Sequence, residues 1–490
     1  MSDIAILSAE NSSLMNSALQ GSGGSNKDAM VYSMEAPLPS HFRSRENKSQ
    51  ILGVAMGGNS YQVEVPAFGT LKSMYLRWNV KWQNGADNCV PAVARAMGAH
   101  MIKKVRLVSS SRTILELTGT QIQYLVYAEK DDRKRAGLKR AMRDVCVDNV
   151  VSTQATTAGV NCPDGFATIQ NDYGYIATDA QGADKQIYIY TPLPFSCFNH
   201  LKTMIPTDFC EKLILEIETS NHFEIVCGGS GAGTKLVTDF TVNNCFLCSE
   251  FLVINSDDRK AIQEKNYSIG SPLAMLLTDW KTTTKQIAGE ANSTTTSLNV
   301  FFTELCAGML CYVEPVRTFD GSALTGNLQA VAETGKSAGA VAASTSVQSD
   351  RIRRGVNGVN VKGTYAHIKK ITLSAGGRKL AEFLHDELLY MNGAHPSSIY
   401  IDESKEEAEE NDEFGNSKNN LYYINFSNTH ELDALRGQLA LRGLNSVVVD
   451  IEFVSTNTGS LKYDVNACIQ YYKAVQISGD SGAIATALSN

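Results

Sequence analysis

The sequence lacks the features of a membrane-spanning or secreted chain. No apolar run approaches the roughly 18 to 20 residues that a transmembrane helix needs. The first residues, MSDIAILSAENSSLM, have neither a basic start nor a long apolar core, so no signal peptide is predicted. Basic residues number 44 against 51 acidic ones, and the net charge of −7 argues against a surface built to neutralise nucleic acid.

The sequence also lacks a framework of paired cysteines. Its 11 cysteines are an odd number spread through a long chain, which predicts reduced, mostly buried thiols in a cytosol-like compartment. The one close pair, Cys245 and Cys248, has no second pair to complete a four-ligand zinc site. Both flanks are strand-like, so we expect the two thiols on opposite faces of a strand. Neither a metal nor a cofactor is predicted.

What the sequence does contain is a long-range repeat. HMIKKVRL, which begins at position 100, is nearly repeated as AHIKKITL, which begins at position 366. Without gaps, 102–124 and 368–390 share seven identical residues, the last being Tyr124 and Tyr390. Both copies read as a strand, a small-residue turn (SSS or AGG), a second strand and an amphipathic stretch. A spacing this long indicates a duplicated domain.

Three further matches occur in the same order along the chain. Residues 187–220 align with 421–454, so that LILEIE lies over VVVDIE. Residues 238–248 align with 461–471, with Cys245 over Cys468, and more weakly 61–76 align with 298–313. The copies differ by insertions, at 128–186 in the first and at 314–367 in the second, which we assign to surface loops.

Within each copy the periodic segments are short strands rich in Val, Ile, Tyr, Phe and Leu, such as YQVEVP, QIYIYTP and KLILEIE. Regular alternation of strand and helix is missing, which argues against a parallel sheet. The pattern therefore predicts an all-β protein: two tandem antiparallel eight-stranded jelly rolls, a double jelly roll, with long loop insertions and few short helices. The helices are expected at 127–145 and 385–392.

This organisation predicts five segments. They are an N-terminal arm at 1–45, a first jelly roll at 46–256, a linker at 257–279, a second jelly roll at 280–478 with an acidic loop at 402–413, and a C-terminal tail at 479–490.

Four function classes remain to be weighed for such a chain. A bicupin enzyme would need clustered histidines in each barrel, but the eight histidines form no HxH pair and none recurs in both copies. A P-loop NTPase is suggested by AVAETGKS at 330–337, yet the entry to that loop is polar instead of an apolar strand. A tandem β-sandwich attachment or glycan-binding protein is the main alternative to a structural shell protein.

The order of signals in 49–256 resembles that of the double jelly-roll major capsid proteins of adenoviruses, tailless membrane-containing phages, virophages, polinton-like viruses and nucleocytoplasmic large DNA viruses. It runs from YQVEVP at 61–66, through MIKKVRL at 101–107 and ILEL at 114–117, to IYIYTPLPF at 187–195. The last segment is similar to the "IPLPF" segment of these proteins. The turn at 109–111 departs from the family because it lacks a glycine.

The resemblance implies a structural protein and not an enzyme. It would form a homotrimer, a pseudo-hexameric capsomer that tiles an icosahedral shell. Its partners would be further copies of itself, neighbouring capsomers and minor capsid or penton proteins; an internal membrane is left open, and no sequence-specific nucleic-acid binding is implied. The protein would reside in the virion capsid, after assembly in the host cytoplasm or nucleus.

Two charged segments are candidates for contacts between subunits. The basic residues of the predicted first helix are Arg133, Lys134, Arg135, Lys139 and Arg140. The acidic residues of the loop at 402–413 are Glu406, Glu407, Glu409 and Glu410. The resemblance further implies that the N-terminal arm, with Phe42, Arg43 and Arg45, faces the particle interior.

Overall fold

A computed structural model describes most of both copies. The described residues are 43–84, 91–93, 96–110, 112–129, 131–144, 184–198, 204–208, 210–221, 225–228, 237–253, 273–290, 292–301, 305–316, 362–363, 365–388, 420–426, 439–440, 447–455, 462–477 and 484–487. None of the helices in these ranges has the length and apolar character needed to cross a membrane.

The first lobe comprises the described residues from 43 to 253. Its elements are β1 (Arg43–Ile51), β2 (Ser60–Val65), β3 (Thr70–Asn84), β4 (Pro91–Val93), α1 (Met97–His100), β5 (Ile102–Ser109), β6 (Arg112–Thr118), α2 (Gly119–Tyr127), α3 (Asp132–Ala141), β7 (Asp184–Pro192), β8 (Ile205–Pro206), β9 (Leu213–Thr219), β10 (Val226–Gly228) and β11 (Val237–Val253).

The second lobe comprises the described residues from 273 to 487. Its elements are β12 (Leu273–Ala288), β13 (Thr294–Val300), β14 (Leu305–Val316), β15 (Ile368–Ala375), β16 (Arg378–Leu384), β17 (Tyr422–Asn425), β18 (Leu439–Ala440), β19 (Val447–Phe453), β20 (Lys462–Ile477) and β21 (Ile484–Ala487).

Each lobe is a sandwich of two antiparallel sheets with the same strand order. In the first lobe, sheet 1A has the order β1-β11-β3-β7 and sheet 1B the order β2-β9-β5-β6. In the second lobe, sheet 2A has the order β12-β20-β14-β17 and sheet 2B the order β13-β19-β15-β16. Short strands β8 and β18 extend β3 and β14 at corresponding ends. The predicted double jelly roll is confirmed.

Alternation along the strands places the core between the two sheets of each lobe. β9 (LILEIET) and β19 (VVVDIEF) bury every second side chain, as strands with one core-facing side do. The outward lysines and glutamates pair across strands instead: Lys103 Nζ lies 2.6 Å from Glu218 Oε1, and Lys104 Nζ lies 2.8 Å from Glu116 Oε2. The lysine pair of HMIKKVRL is therefore part of the sheet surface.

The strongest repeat lies in register in the structure. β5 and β15 begin at Ile102 and Ile368, and a bulge interrupts both at the same position before the hairpin to β6 or β16. The turn needs a left-handed backbone: Ser110 has φ of 45°, and Gly376 and Gly377 have φ of 55° and 75°. Glycine adopts this conformation without the strain that serine bears.

Two of the weaker alignments are wrong in register. Cys245 does not correspond to Cys468, because Cys245 faces the core of its own lobe and Cys468 faces away from the core of its own lobe. Cys245 packs in the core of the first lobe, whereas Cys468 accepts a hydrogen bond from Thr282 at the boundary between the lobes.

The alignment of 61–76 with 298–313 is also displaced. Val63 pairs with Leu215, and Leu298 pairs with Val449, the counterpart of Leu215. Val63 therefore takes the place that the sequence alignment gave to Tyr61.

The predicted helix at 127–145 is shorter in the structure, and a second helix precedes it. α3 lies inside that range, and its first turn is capped by Asp131, which accepts hydrogen bonds from the backbone N–H groups of Arg133 and Lys134. α2 was missed, although Thr118 and Gln121 form a capping box at its start. Of the second predicted helix, 385–388 forms a helical turn and 389–392 lies outside the described residues.

Two strands cross the predicted segment boundaries, and a third lies inside the predicted tail. β1 begins at Arg43 and so includes the end of the predicted arm. β12 begins at Leu273, inside the predicted linker, and β21 lies within the predicted tail and pairs with β20. Most of the two insertions and all of the acidic loop at 402–413 lie outside the described residues.

A glycine substitution tests the packing of β14 against β17. A Cβ on Gly308 would overlap the Tyr423 hydroxyl and lie 2.8 Å from the carbonyl oxygen of Ile424. Gly308→Ala should therefore lower the free energy of unfolding by about 1–3 kcal/mol. Gly137 in α3 faces open space, so Gly137→Ala should raise it by about 0.5–1 kcal/mol. Urea unfolding would check both; a neutral Gly308→Ala variant would contradict this packing.

Candidate assembly interface

The contact between the two lobes centres on β6, the edge strand of sheet 1B. An edge strand carries backbone groups that no neighbouring strand pairs. Here two side chains of the second lobe bind them. Lys473 Nζ donates to the carbonyl oxygens of Thr113 and Ile114, at 3.1 and 2.7 Å, and Asp279 Oδ1 accepts from the backbone N–H of Glu116 at 3.0 Å.

Lys473 and Asp279 form a buried ion pair. Lys473 Nζ lies 3.1 Å from Asp279 Oδ2, and their side chains are 7% and 5% exposed. Asp279 also accepts from the Tyr471 hydroxyl at 3.2 Å and the Trp280 backbone N–H at 3.0 Å. A buried ion pair is tolerated only when further hydrogen bonds satisfy both charges, and the edge of β6 supplies several of them.

Aromatic rings surround this pair on the same face of sheet 2A. The ring of Tyr124, from α2, is stacked on that of Tyr423 with centroids 5.5 Å apart. Trp280 meets Tyr124 edge-on at 6.1 Å. These residues belong to one hydrophobic cluster that continues from the first lobe into sheet 2A. Sheet 2A is therefore buried on both faces, by its own lobe and by the first lobe.

A buried polar network closes the lobe boundary beside α1. His100 Nε2 lies 2.6 Å from Gln123 Oε1, which also accepts from the Tyr365 hydroxyl of the second lobe at 2.7 Å. Gln123 Nε2 donates to the Tyr127 hydroxyl and to the Gly363 carbonyl. Because the Gln123 carbonyl can only accept, His100 donates to it from Nε2. Burial, with the positive charge of Lys362, lowers the pKa of His100 to about 3.

The basic residues that sequence analysis proposed for subunit contacts lie on α3, and at least three of them contact residues of the same chain. Lys134 pairs with Glu129, Arg135 is buried and donates to Asp132 at 2.8 Å, and Lys139 lies over the Tyr127 ring at 4.7 Å. Arg133 and Arg140 are exposed. Contacts of this helix with another subunit stay a prediction, and Glu406, Glu407, Glu409 and Glu410 lie outside the described residues.

The proposed interior-facing residues begin the first sheet. Arg43 opens β1, paired with Val253, and Phe42 lies outside the described residues. The Arg45 guanidinium lies over the Phe68 ring at 4.1 Å, and that ring packs edge-on against Phe251. Whether this end of the chain faces a particle interior stays a prediction.

Cys245 and Cys248 lie on opposite faces of β11. Cys245 is in the first core, and Cys248 is beside Tyr75 on the outer face of sheet 1A. Burial raises the pKa of both thiols, so neither is a reactive thiolate. Among the residues that the structure describes, no group of three or more His, Cys, Asp and Glu side chains could hold a metal ion.

Removing the ammonium of Lys473 tests the interface. Lys473→Met would leave Asp279 buried without its countercharge and two carbonyls of β6 without donors, which should cost about 3–5 kcal/mol of unfolding free energy. The exposed pair Lys103–Glu218 provides a matched control, and Lys103→Met should cost less than about 1 kcal/mol. Chemical unfolding would compare the two, and equal small losses would contradict the structure.

Lowering the pH should lower the unfolding free energy, because the folded chain contains buried, neutral histidines. His100 stays neutral when folded but takes up a proton near pH 6.5 when unfolded, so protons stabilise the unfolded chain from pH 6.5 down to about 3. His367, half-buried against His385, acts in the same direction because its pKa is lowered to about 4. The unfolding free energy should therefore fall as the pH falls through this window.

A substitution can isolate the contribution of His100 to the pH dependence of the unfolding free energy. His100→Gln keeps a donor toward Gln123 but cannot titrate, so it should reduce the pH slope by up to about 1.4 kcal/mol per pH unit. Urea unfolding at several pH values between about 7 and about 4.5 measures that slope. An unchanged slope would show that His100 is already protonated in the folded chain.

Comparisons with known proteins show which structures have a similar fold. No protein-family model and no curated protein matches the sequence. Among solved structures, the PBCV-1 protein VP54, fitted into a reconstruction of the virophage Sputnik, matches with a TM-score of 0.56 at 12% identity, over 93% of this chain and 100% of its own. The Faustovirus major capsid protein matches with a TM-score of 0.56 at 11% identity, over 97% and 98% of the two chains.

The mavirus major capsid protein matches with a TM-score of 0.52 at 9% identity, over 92% of this chain and 90% of its own. The similarity to these structures therefore extends through both lobes. The chain has the fold of the double jelly-roll major capsid proteins.

Proposed function

We propose that this chain is a structural major capsid protein. Three copies form a trimer with six similar lobes, and these pseudo-hexameric capsomers tile an icosahedral viral shell. The observation that carries the proposal is the rigid pairing of two lobes with the same strand order, in a fold shared along nearly the whole chain with the Faustovirus and mavirus major capsid proteins.

A shell protein must keep its two lobes in a fixed relative position, and the contacts at the lobe boundary can do this. Buried aromatic rings, the Lys473–Asp279 pair and the His100 network fix the second lobe on the first. Breaking any of them would leave buried polar groups without partners, which is costly. The two lobes therefore move as one unit, as a tile must. This role uses no catalytic group, and we propose that the chain is not an enzyme.

The proposed roles of the insertions, the partners and the location follow if the chain is part of a viral shell. The insertions at 128–186 and 314–367 form the outward crown, because loops at one end of a sandwich cluster together. The partners are further copies of this chain and minor capsid or penton proteins. The protein resides in the virion capsid after assembly in a reducing compartment of the host.

The oligomeric state of the purified protein tests this function. Light scattering should give about three times the 53.2 kDa of one chain, and electron microscopy should show near-hexagonal trimers or icosahedral particles. A lasting monomer would contradict the proposal. If that monomer also bound glycans on an array, the attachment-protein alternative would replace it.

A further inference from the structure

We infer that edge strand β16 docks on the outer face of sheet 1A of a second copy of this chain. The contact would repeat between chains what β6 and sheet 2A do within one chain. This inference rests on the proposed function, since it names the surfaces through which the trimer forms. Four observations support it.

The first observation is the exposure of β16 where its counterpart is buried. Ile114 in β6 is 0% exposed at the lobe boundary, and the corresponding residue in β16 is Leu380, which is 50% exposed. Leu384, at the end of the same strand, is 51% exposed. The second lobe thus presents two leucines to solvent on the strand that, in the first lobe, is covered.

The second observation is that the local geometry after the two edge strands is the same. The backbone N–H of Thr118 donates to the side chain of Gln121 at 2.9 Å and starts α2. At the corresponding position the backbone N–H of Leu384 donates to Glu387 Oε2 at 2.9 Å and starts the helical turn at 385–388. β16 therefore leaves its sheet as β6 does and can enter the same kind of contact.

The third observation is that the outer face of sheet 1A is exposed, whereas the corresponding outer face of sheet 2A is covered by the first lobe. Arg77 and Tyr190 pair on the outer face of sheet 1A, and Leu310 and Tyr423 pair on the corresponding outer face of sheet 2A. In sheet 2A this face is buried by the first lobe. In sheet 1A the face carries Tyr190 and Tyr188, which are 37% and 41% exposed. Tyrosine and arginine are the side chains enriched in protein interfaces.

The fourth observation is where the exposed apolar side chains lie. Of the six large hydrophobic residues exposed in the described part of the chain, four are on these two surfaces: Tyr188 and Tyr190 on sheet 1A, and Leu380 and Leu384 on β16. Each chain therefore offers one edge and one face that do not meet within it. Different patches on the two partners make a head-to-tail contact, which closes into a ring when the rotation permits.

Charge substitutions on the two surfaces test the inference. Leu380→Asp and Tyr190→Asp should each convert the trimer into folded monomers, measured by light scattering, with unchanged circular dichroism at room temperature and a melting temperature that no longer depends on protein concentration. Leu52→Asp is the matched control, because Leu52 is 76% exposed and lies on neither surface. It should remain trimeric.

Mixing the two variants separates a head-to-tail contact from any other. The Leu380→Asp chain keeps an intact face and the Tyr190→Asp chain keeps an intact edge, so an equimolar mixture should form one-to-one dimers that cannot close. If both variants stay trimeric, this docking is wrong while the capsid function stands. If the unmodified protein is itself a lasting monomer, the proposed function and this contact fail together.

Discussion

The edge of one β-strand is the constraint on which this molecule depends. Backbone groups along the free side of β6 must find partners, and the second lobe provides them through Lys473 and Asp279. The two charges in turn require the β6 carbonyls and amide to be satisfied in a buried place. The first lobe cannot bury the β6 backbone groups, and the second lobe cannot bury Lys473 and Asp279, without the other lobe. The lobe boundary therefore forms as part of folding, and sheet 2A lies between the two lobes' cores.

The sequence supports the prediction of the strands and the duplication because both depend on short-range patterns. Alternation in LILEIE and VVVDIE places these segments in one register, and β9 and β19 pair as that register requires. The alignment of Cys245 with Cys468 fails for a physical reason. Cys245 faces the first core and Cys468 faces the lobe boundary, so an alignment that matches the two cysteines cannot also match the core-facing sides of their strands.

The interface could not be predicted, since its residues look ordinary in the sequence. A lysine and an aspartate on strands suggest solvent-facing positions, and only the edge of another lobe explains why Lys473 and Asp279 are buried. His100 is similar: it begins the repeat HMIKKVRL, but Ala366 takes its place in the second copy, so the repeat itself gave no reason to assign it a role. One signal was available, the capping box of Thr118 and Gln121, which marks the start of the helix that carries Tyr124 into the interface.

The two copies differ most on the surfaces where the same topology serves different stages of assembly. The outer face of sheet 2A is covered while the chain folds, so aliphatic Leu310 and Leu421 can occupy it without meeting water. The corresponding face of sheet 1A is open to solvent in this chain, with Tyr188 and Tyr190 partly exposed. It carries Arg77, Tyr188 and Tyr190, side chains that combine apolar surface with a polar end. β16 shows the same compromise: its exposed leucines alternate with Lys379 and Glu382, charges that discourage unspecific pairing of an open edge. With the same strand order in both lobes, these surface residues decide that one edge-to-face contact forms within the chain, and under the proposed docking the other is left for a second copy.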